Sequence, residues 1–213
     1  MGTTLADRSP RRKRIVVLVS GSGSNLQAII DASVGGLLAA EVVAVISNRP
    51  DVFALQRADA AGVPAVHVGV HPGEQRSDYD ARLADVVAGF DPDLVVLAGW
   101  MRLLTMSFLG WFPNRVVNLH PALPGEFPGT GAIERAWSEA IGGTRTSTGV
   151  MVHFVPDEGV DDGPVLGTAD VPIDIRAGFD AFAQLVHVTE HRLLVSTLID
   201  LCTAAPDRTE VPA

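Results

Sequence analysis

The sequence is poor in cysteine. Its 213 residues include one cysteine, Cys202, so the chain has no second thiol for an internal disulfide. A zinc ribbon, which needs several cysteines, is excluded for the same reason. A chain of this length can bury a hydrophobic core large enough to need no such cross-link. The cysteine usage suits a reducing compartment, and we expect a cytoplasmic protein.

Long apolar runs and a basic charge balance are also lacking. No apolar run reaches the roughly 20 residues of a membrane helix, so no membrane partner is expected. The formal net charge is −9, which leaves no global positive field for a nucleic-acid backbone. Basic residues gather at positions 8 and 11–14, and we interpret residues 1–13 as a flexible basic arm. The apolar segment that follows, at 15–19, is too short for a signal peptide.

Short β-branched runs alternate with stretches of helical period from residue 15 onward. This alternation predicts strands at 15–20, 41–47, 65–68, 93–98 and 115–118, with helices at 25–33, 52–61, 77–90 and 107–112. A helix at 133–141, two successive strands at 146–155 and 165–172, and a helix at 181–201 follow. The predicted fold class is α/β: an open, mostly parallel, twisted sheet with an antiparallel C-terminal hairpin and a long C-terminal helix. We expect one domain over 14–203 and a tail at 204–213.

A glycine-rich turn, SGSGSN at 20–25, joins the first predicted strand to its helix. Glycine lets the backbone approach a ligand, and the free N–H groups of a helix start attract anions. Gly23, Ser24 and Asn25 are therefore candidate phosphate ligands, the alternative being a plain turn with Ser24 or Asn25 as the helix cap. Position 26 is leucine where a dinucleotide fingerprint has glycine, which argues against a nicotinamide cofactor.

An asparagine and a histidine stand at the end of the fifth predicted strand. Ligands of open α/β sheets bind at the carboxyl ends of strands, and the spacing of two places Asn118 and His120 on one side. An amide and an imidazole N–H can together stabilise an oxygen that becomes negative during acyl transfer. The alternative is a structural histidine.

Carboxylates cluster in the turn DEGVDDGP at 157–164. Their spacing does not match a twelve-residue calcium loop, and the histidines are too scattered for zinc, so no metal is expected. If the hairpin folds over the strand ends, one carboxylate can face His120 and accept or relay a proton. Otherwise the turn is a solvated loop.

Four segments, taken together and in order, resemble the phosphoribosylglycinamide formyltransferases (GAR transformylases) of the folate-dependent formyltransferase family. They are VSGSGSNLQ at 19–27, LAGWMRLL at 97–104, NLHPAL at 118–123 and DDGP at 161–164. The resemblance implies a Rossmann-like formyltransferase fold. It also implies transfer of the formyl group of 10-formyltetrahydrofolate to the amine of glycinamide ribonucleotide in de novo purine biosynthesis. Both partners are small molecules, and either a monomer or a homodimer is compatible with it.

The resemblance further implies a role for each matching position. The catalytic trio corresponds to Asn118, His120 and Asp161. The substrate phosphate would be bound by Gly23, Ser24 and Asn25, and the ribose by Glu190. The folate site would be formed by Arg76, near the glutamate tail, and by the segment Met101, Arg102, Leu103 and Leu104, near the pterin. Residues 14–113 would form a phosphate-binding half, and residues 114–203 a catalytic and folate half.

Other interpretations of these positions stay open. Asp162 rivals Asp161, because the acidic turn is one residue longer than in the shortest family members. Arg76 can be a surface residue at a helix start, and Met101, Leu103 and Leu104 can be core residues. The loop at 122–133 departs from the family pattern, so its conformation is not predicted.

Two related enzymes and one non-enzyme compete with this function. Enzymes that formylate methionyl-tRNA usually carry an added C-terminal RNA-binding domain, and hydrolases of formyltetrahydrofolate an N-terminal regulatory domain. We expect neither domain here. A nucleotide-binding module without catalysis is disfavoured, because it has no need of an oxyanion site.

Overall fold

The computed structural model describes residues 11–203 and contains one seven-stranded sheet. Its strands are β1 (Lys13–Val19), β2 (Ala40–Ser47), β3 (Ala65–His67), β4 (Leu94–Leu97), β5 (Val116–His120), β6 (Ser147–Phe154) and β7 (Val165–Pro172). Its helices are α1 (Ser24–Val34), α2 (Phe53–Ala60), α3 (Arg76–Ala88), α4 (Met106–Leu109), α5 (Ala132–Ile141) and α6 (Phe179–Thr203). The predicted basic arm lies mostly outside the described residues, and the predicted tail at 204–213 lies wholly outside them.

The sheet has the strand order β3-β2-β1-β4-β5-β6-β7. The pairs from β3 to β5 are parallel, and β6 pairs antiparallel with both β5 and β7. The predicted fold class is thus confirmed, including the antiparallel strands and the long final helix. Both faces of the parallel part are covered: alternate residues of β1 pack with α1 on one side and with α3 on the other.

The strand order reverses direction next to β1. From β1 the chain moves through β2 to β3 on one side, and then returns to β4 on the other side. The loops after β1 and β4 therefore diverge, and a crevice opens between them at the carboxyl ends of the strands. This crevice receives the turn at 20–25, the segment at 98–104 and the end of β5.

Gly23 is the position in the turn at 20–25 where both the backbone conformation and the packing disfavour a side chain. Its φ of 73° is left-handed, and an added Cβ would lie 2.7 Å from Ala54 Cβ. We expect Gly23→Ala to lower the free energy of unfolding by about 2 kcal/mol, since the left-handed backbone and the overlap each carry a cost. Denaturant unfolding measures the change. Gly21→Ala is the matched control, because a Cβ there meets nothing within 4 Å. Equal losses in the two variants would contradict the argument.

Candidate active site

Two adjoining cavities open at the carboxyl ends of the central strands. The first, here called the Asn118 cavity, has a volume of about 430 Å³ and is lined by parts of 97–104, 118–121 and 153–161. The second, the Gly-loop cavity, has a volume of about 420 Å³ and is lined by the turn at 20–25 and by Glu190. The shared lining residues are Gly99, Met101, Leu119, Pro121, Gly131 and Ala132. Ligands in the two cavities would therefore lie side by side.

Asp161 joins three separate stretches of chain at the Asn118 cavity. Its Oδ1 accepts a hydrogen bond from Asn118 Nδ2 at 3.0 Å. Its Oδ2 accepts one from the Gly129 N–H at 2.8 Å and lies 3.3 Å from His120 Nδ1. The structure thus brings Asn118, His120 and Asp161 together around one carboxylate.

The backbone of Asp161 is held in an uncommon conformation. Its φ is 54°, in the left-handed region that aspartate and asparagine tolerate better than most residues. The neighbouring Asp162 is exposed, and its carboxylate lies over Gly159. Asp161 is therefore the acid of this turn that faces His120.

The two ionisable groups at the centre have opposed environments. Burial lowers the pKa of His120, which is 3% exposed, and the Asp161 carboxylate raises that pKa by less. Burial raises the pKa of Asp161, but hydrogen bonds from neighbouring donors, among them the Gly129 N–H, hold it below its ordinary value. The arrangement at neutral pH is a neutral imidazole beside a carboxylate.

His153 is a site residue that the sequence reasoning missed. It is 2% exposed on β6 and pairs in register with Asn118 on β5. Its Nδ1 lies 2.8 Å from the carbonyl oxygen of Phe154, which places a hydrogen on that nitrogen. With the hydrogen on Nδ1, Nε2 accepts a hydrogen bond from Asn118 Nδ2 at 3.1 Å. A histidine inside the apolar run at 150–154 was the available signal.

These contacts fix the orientation of the Asn118 amide. Nδ2 donates to Asp161 and to His153, so both amide hydrogens have partners. Turning the amide over would set its oxygen against the Asp161 carboxylate, two acceptors in contact. Asn118 therefore presents an amide nitrogen toward Asp161.

The loop at 122–131 closes the site below His120. Phe127 has a φ of 46°, and the guanidinium groups of Arg135 and Arg145 lie 5.4 and 4.6 Å from the centre of its ring. Two residues later, Gly129 donates its N–H to Asp161. The loop thus supplies a backbone donor, which no side-chain pattern could reveal.

The Gly-loop cavity is built around the start of α1. Gly23 is the cap residue, and no described side chain caps the helix, so the alternative with Ser24 or Asn25 as cap is not what the structure shows. The first N–H groups of α1 thus have no side-chain partner, as an anion site requires. Arg57 on α2 holds the turn by donating to the Ser22 carbonyl at 2.9 Å. Arg49, which the sequence reasoning did not single out, also lines this cavity.

Glu190 reaches the Gly-loop cavity from α6, where it is buried. Its Oε2 lies 2.7 Å from His187 Nδ1 and accepts a hydrogen bond from it. This bond raises the pKa of His187 above its ordinary 6.5, although burial lowers it in part. The pair places an acid and a protonatable base beside the turn at 20–25.

The His187–Glu190 pair should make stability depend on pH. A raised pKa in the folded state stabilises the protein fully below the ordinary pKa of 6.5, and this stabilisation is lost as the pH rises through the raised value. We expect the Tm of the wild type to exceed that of His187→Gln by more at about pH 5.5 than at about pH 9. Thermal unfolding of both proteins across this range is the measurement. A difference independent of pH would show that the imidazole is not charged by this pair.

The positions assigned to folate divide into lining and rim residues. Met101 and Leu103 are 57% and 45% exposed and line the Asn118 cavity, so they are not core residues. Leu104 is buried but also lines it, and the Arg102 guanidinium lies 4.7 Å from the Tyr79 ring centre. Arg76 is not among the lining residues. It reaches Glu158, which is, at 3.2 Å.

The described residues show neither a metal site nor a membrane helix. Within 11–203, no group of three or more His, Cys, Asp or Glu side chains is placed to hold a metal ion. None of the helices in that range is long and apolar enough to cross a membrane.

Comparison with known proteins gives consistent matches. Residues 13–198 match the family model described as formyl transferase. The phosphoribosylglycinamide formyltransferase of Schizosaccharomyces pombe is 42% identical over 201 residues, 89% of this chain and 97% of that protein. The trifunctional purine biosynthetic protein adenosine-3 of Drosophila melanogaster is 42% identical over 86% of this chain, which spans 13% of that protein. The crystal structure of glycinamide ribonucleotide transformylase 1 from Symbiobacterium toebii superposes with a TM-score of 0.84 at 38% identity, covering 91% of this chain and 89% of that one.

Proposed function

The chain belongs to the formyl transferase family, and we propose that it transfers the formyl group of 10-formyltetrahydrofolate to the primary amine of glycinamide ribonucleotide. The products are formylglycinamide ribonucleotide and tetrahydrofolate, and the reaction is a step of de novo purine biosynthesis. The observation that carries the proposal is the convergence of Asn118, His120 and Asp161 beside a cavity with an anion-binding helix start.

Each cavity suits one substrate. The ribonucleotide phosphate would bind the N–H groups at Gly23, Ser24 and Asn25, with Glu190 accepting hydrogen bonds from the ribose hydroxyls. The folate would occupy the Asn118 cavity, with its pterin along the segment at 101–104 and its tail toward Arg76. With the substrates bound in this way, the amine of one would lie beside the formyl group of the other.

The reaction moves one formyl group and one proton. The amine nitrogen attacks the formyl carbon, and the carbonyl oxygen becomes an oxyanion. The bond from that carbon to the donor nitrogen then breaks, and the proton that the attacking amine loses passes to the donor nitrogen. Neutral His120 can accept that proton from the amine and pass it on to the donor nitrogen, since the negative charge that develops beside the imidazole raises its pKa. Asp161 orients the ring and stabilises its charged form.

Asn118 would contribute to the oxyanion site through an amide hydrogen that already has a protein partner. Both of its amide hydrogens have protein partners, so the substrate oxygen must compete with His153 or Asp161 for one of them. A negatively charged oxygen is a stronger acceptor than a neutral imidazole nitrogen. The shared bond would therefore strengthen as the oxyanion forms, which favours the transition state over the bound substrate.

The organisation of the chain extends the proposal. We propose a single domain over 14–203, because both cavities draw residues from each of its halves. A cytoplasmic location stays a prediction.

A direct assay tests the function. Purified protein is incubated with 10-formyltetrahydrofolate, with and without glycinamide ribonucleotide, and formyl loss is followed together with the formylated product. We expect loss only when the amine is present, in equal amount to the product. Loss without the amine would indicate a hydrolase, and no loss in either mixture would contradict the proposal.

A further inference from the structure

Glu158 ties the acidic turn to the opposite rim of the Asn118 cavity. It lies three residues before Asp161 and lines the cavity. Its Oε1 accepts a hydrogen bond from the Met106 N–H at 3.0 Å, and its Oε2 accepts one from Arg76 at 3.2 Å. Glu158 therefore bridges the turn that carries Asp161 to the starts of α3 and α4.

Arg76 stands where helix electrostatics alone would not place a cation. It is the first residue of the thirteen-residue helix α3, whose N-terminal end carries partial positive charge. It is 42% exposed and Glu158 is 49% exposed, so both side chains are accessible to solvent and to a ligand. One turn further along α3, the buried Asp80 also feels the charge of Arg76. Arg76 is thus suited to an anion that reaches the rim.

The charges around the Asn118 cavity favour binding of an anion at Arg76 over the rest of the lining. The acidic lining residues are Asp157, Glu158 and Asp161, and the one Lys or Arg side chain in the lining is Arg102. A carboxylate leaving the cavity would be repelled by this acidic wall unless it reached Arg76. The folate of the proposed reaction carries such carboxylates in its glutamate tail.

We propose that Glu158 is a specificity-determining residue for the donor, because its carboxylate holds the Arg76 guanidinium and competes there with a carboxylate of the donor tail. The inference rests on the proposed function. Glu158 keeps Arg76 oriented at the rim and lowers the affinity only for donors whose tail carboxylate must compete with it. Binding of the tail also releases one of the two contacts that Glu158 makes.

Glu158→Gln tests the exchange, since the amide oxygen can still accept from Met106 while the charge is gone. The probes are the air-stable 5,8-dideaza analogue of 10-formylfolate and the same compound without its glutamate, each titrated calorimetrically into the full chain. We expect Glu158→Gln to lower the Kd of the glutamate-bearing compound about two- to five-fold, the usual worth of one exposed charge pair. The Kd of the compound without the tail should not change.

Two further single variants and one double variant complete the test. Arg76→Gln should weaken binding of the glutamate-bearing compound. In the double variant Glu158→Gln should have no further effect on this Kd, because the two residues act through one contact. Asp174→Asn removes the same charge from an exposed pair with Arg176, outside both cavities, and controls for long-range electrostatics.

The outcomes separate this inference from the proposed function. Equal Kd changes for both compounds, additive effects in the double variant, or a lower kcat for Glu158→Gln without any change in Kd would overturn the inference alone. The last result would mean that Glu158 only positions the acidic turn. Wild-type protein that binds neither compound would overturn the proposed function and this inference with it.

Discussion

His120→Ala should lower kcat for formyl transfer by about 100- to 1,000-fold, within the range that a positioned general acid or base contributes. The imidazole lines the Asn118 cavity although it is 3% exposed, and Asp161 lies 3.3 Å from its Nδ1. Removing the ring takes away a proton acceptor and leaves the carboxylate without one of its partners. The KM for glycinamide ribonucleotide should change little, since its phosphate is assigned to the other cavity.

Steady-state kinetics at saturating concentrations of both substrates measure this effect, with thermal unfolding on the same samples. His71→Ala is the matched control, because that histidine is exposed and lies outside both cavities. A marked loss of Tm with near-normal turnover in His120→Ala would support the structural alternative for this residue.

The sequence predicted the parts of the site that lie within one element. Two-residue spacing on β5 placed Asn118 and His120 on one side, and the turn at 20–25 could be recognised as a helix start. The alternation of apolar runs with helical stretches was sufficient for the fold class, because a parallel sheet with crossover helices has few topologies.

The parts contributed across elements could not be predicted in this way. His153 faces Asn118 through the register of β5 with β6, and register between two strands is not encoded by spacing within either. Gly129 acts through its backbone, in a loop whose shape depends on Phe127 packing against Arg135 and Arg145. Glu158 acts through partners that precede it by 52 and 82 residues.

Asp161→Asn should lower kcat by at least about 100-fold while the backbone of the turn is retained. Three groups that can donate hydrogen bonds surround the carboxylate: Asn118 Nδ2, the Gly129 N–H and His120 Nδ1. An asparagine offers one acceptor oxygen, so its NH₂ group must face a donor in either orientation. In either orientation His120 would lose the negative charge that stabilises its protonated form, a change that leaves geometry intact but costs turnover in comparable acid–histidine pairs.

The neighbouring acid supplies a control for this variant. Asp162→Asn makes the same chemical change one residue away, at an exposed side chain without contact to His120, and should keep kcat within about two-fold of the wild type. Asparagine tolerates the left-handed φ of 54° at position 161, so strain in the turn cannot account for a difference between the two variants. Turnover is compared at saturating concentrations of both substrates near pH 7.5. The proposed reaction does not need a protonated carboxyl group in either variant. A greater loss in Asp162→Asn than in Asp161→Asn would reassign the acid, and equal small losses would show that His120 works without a carboxylate partner.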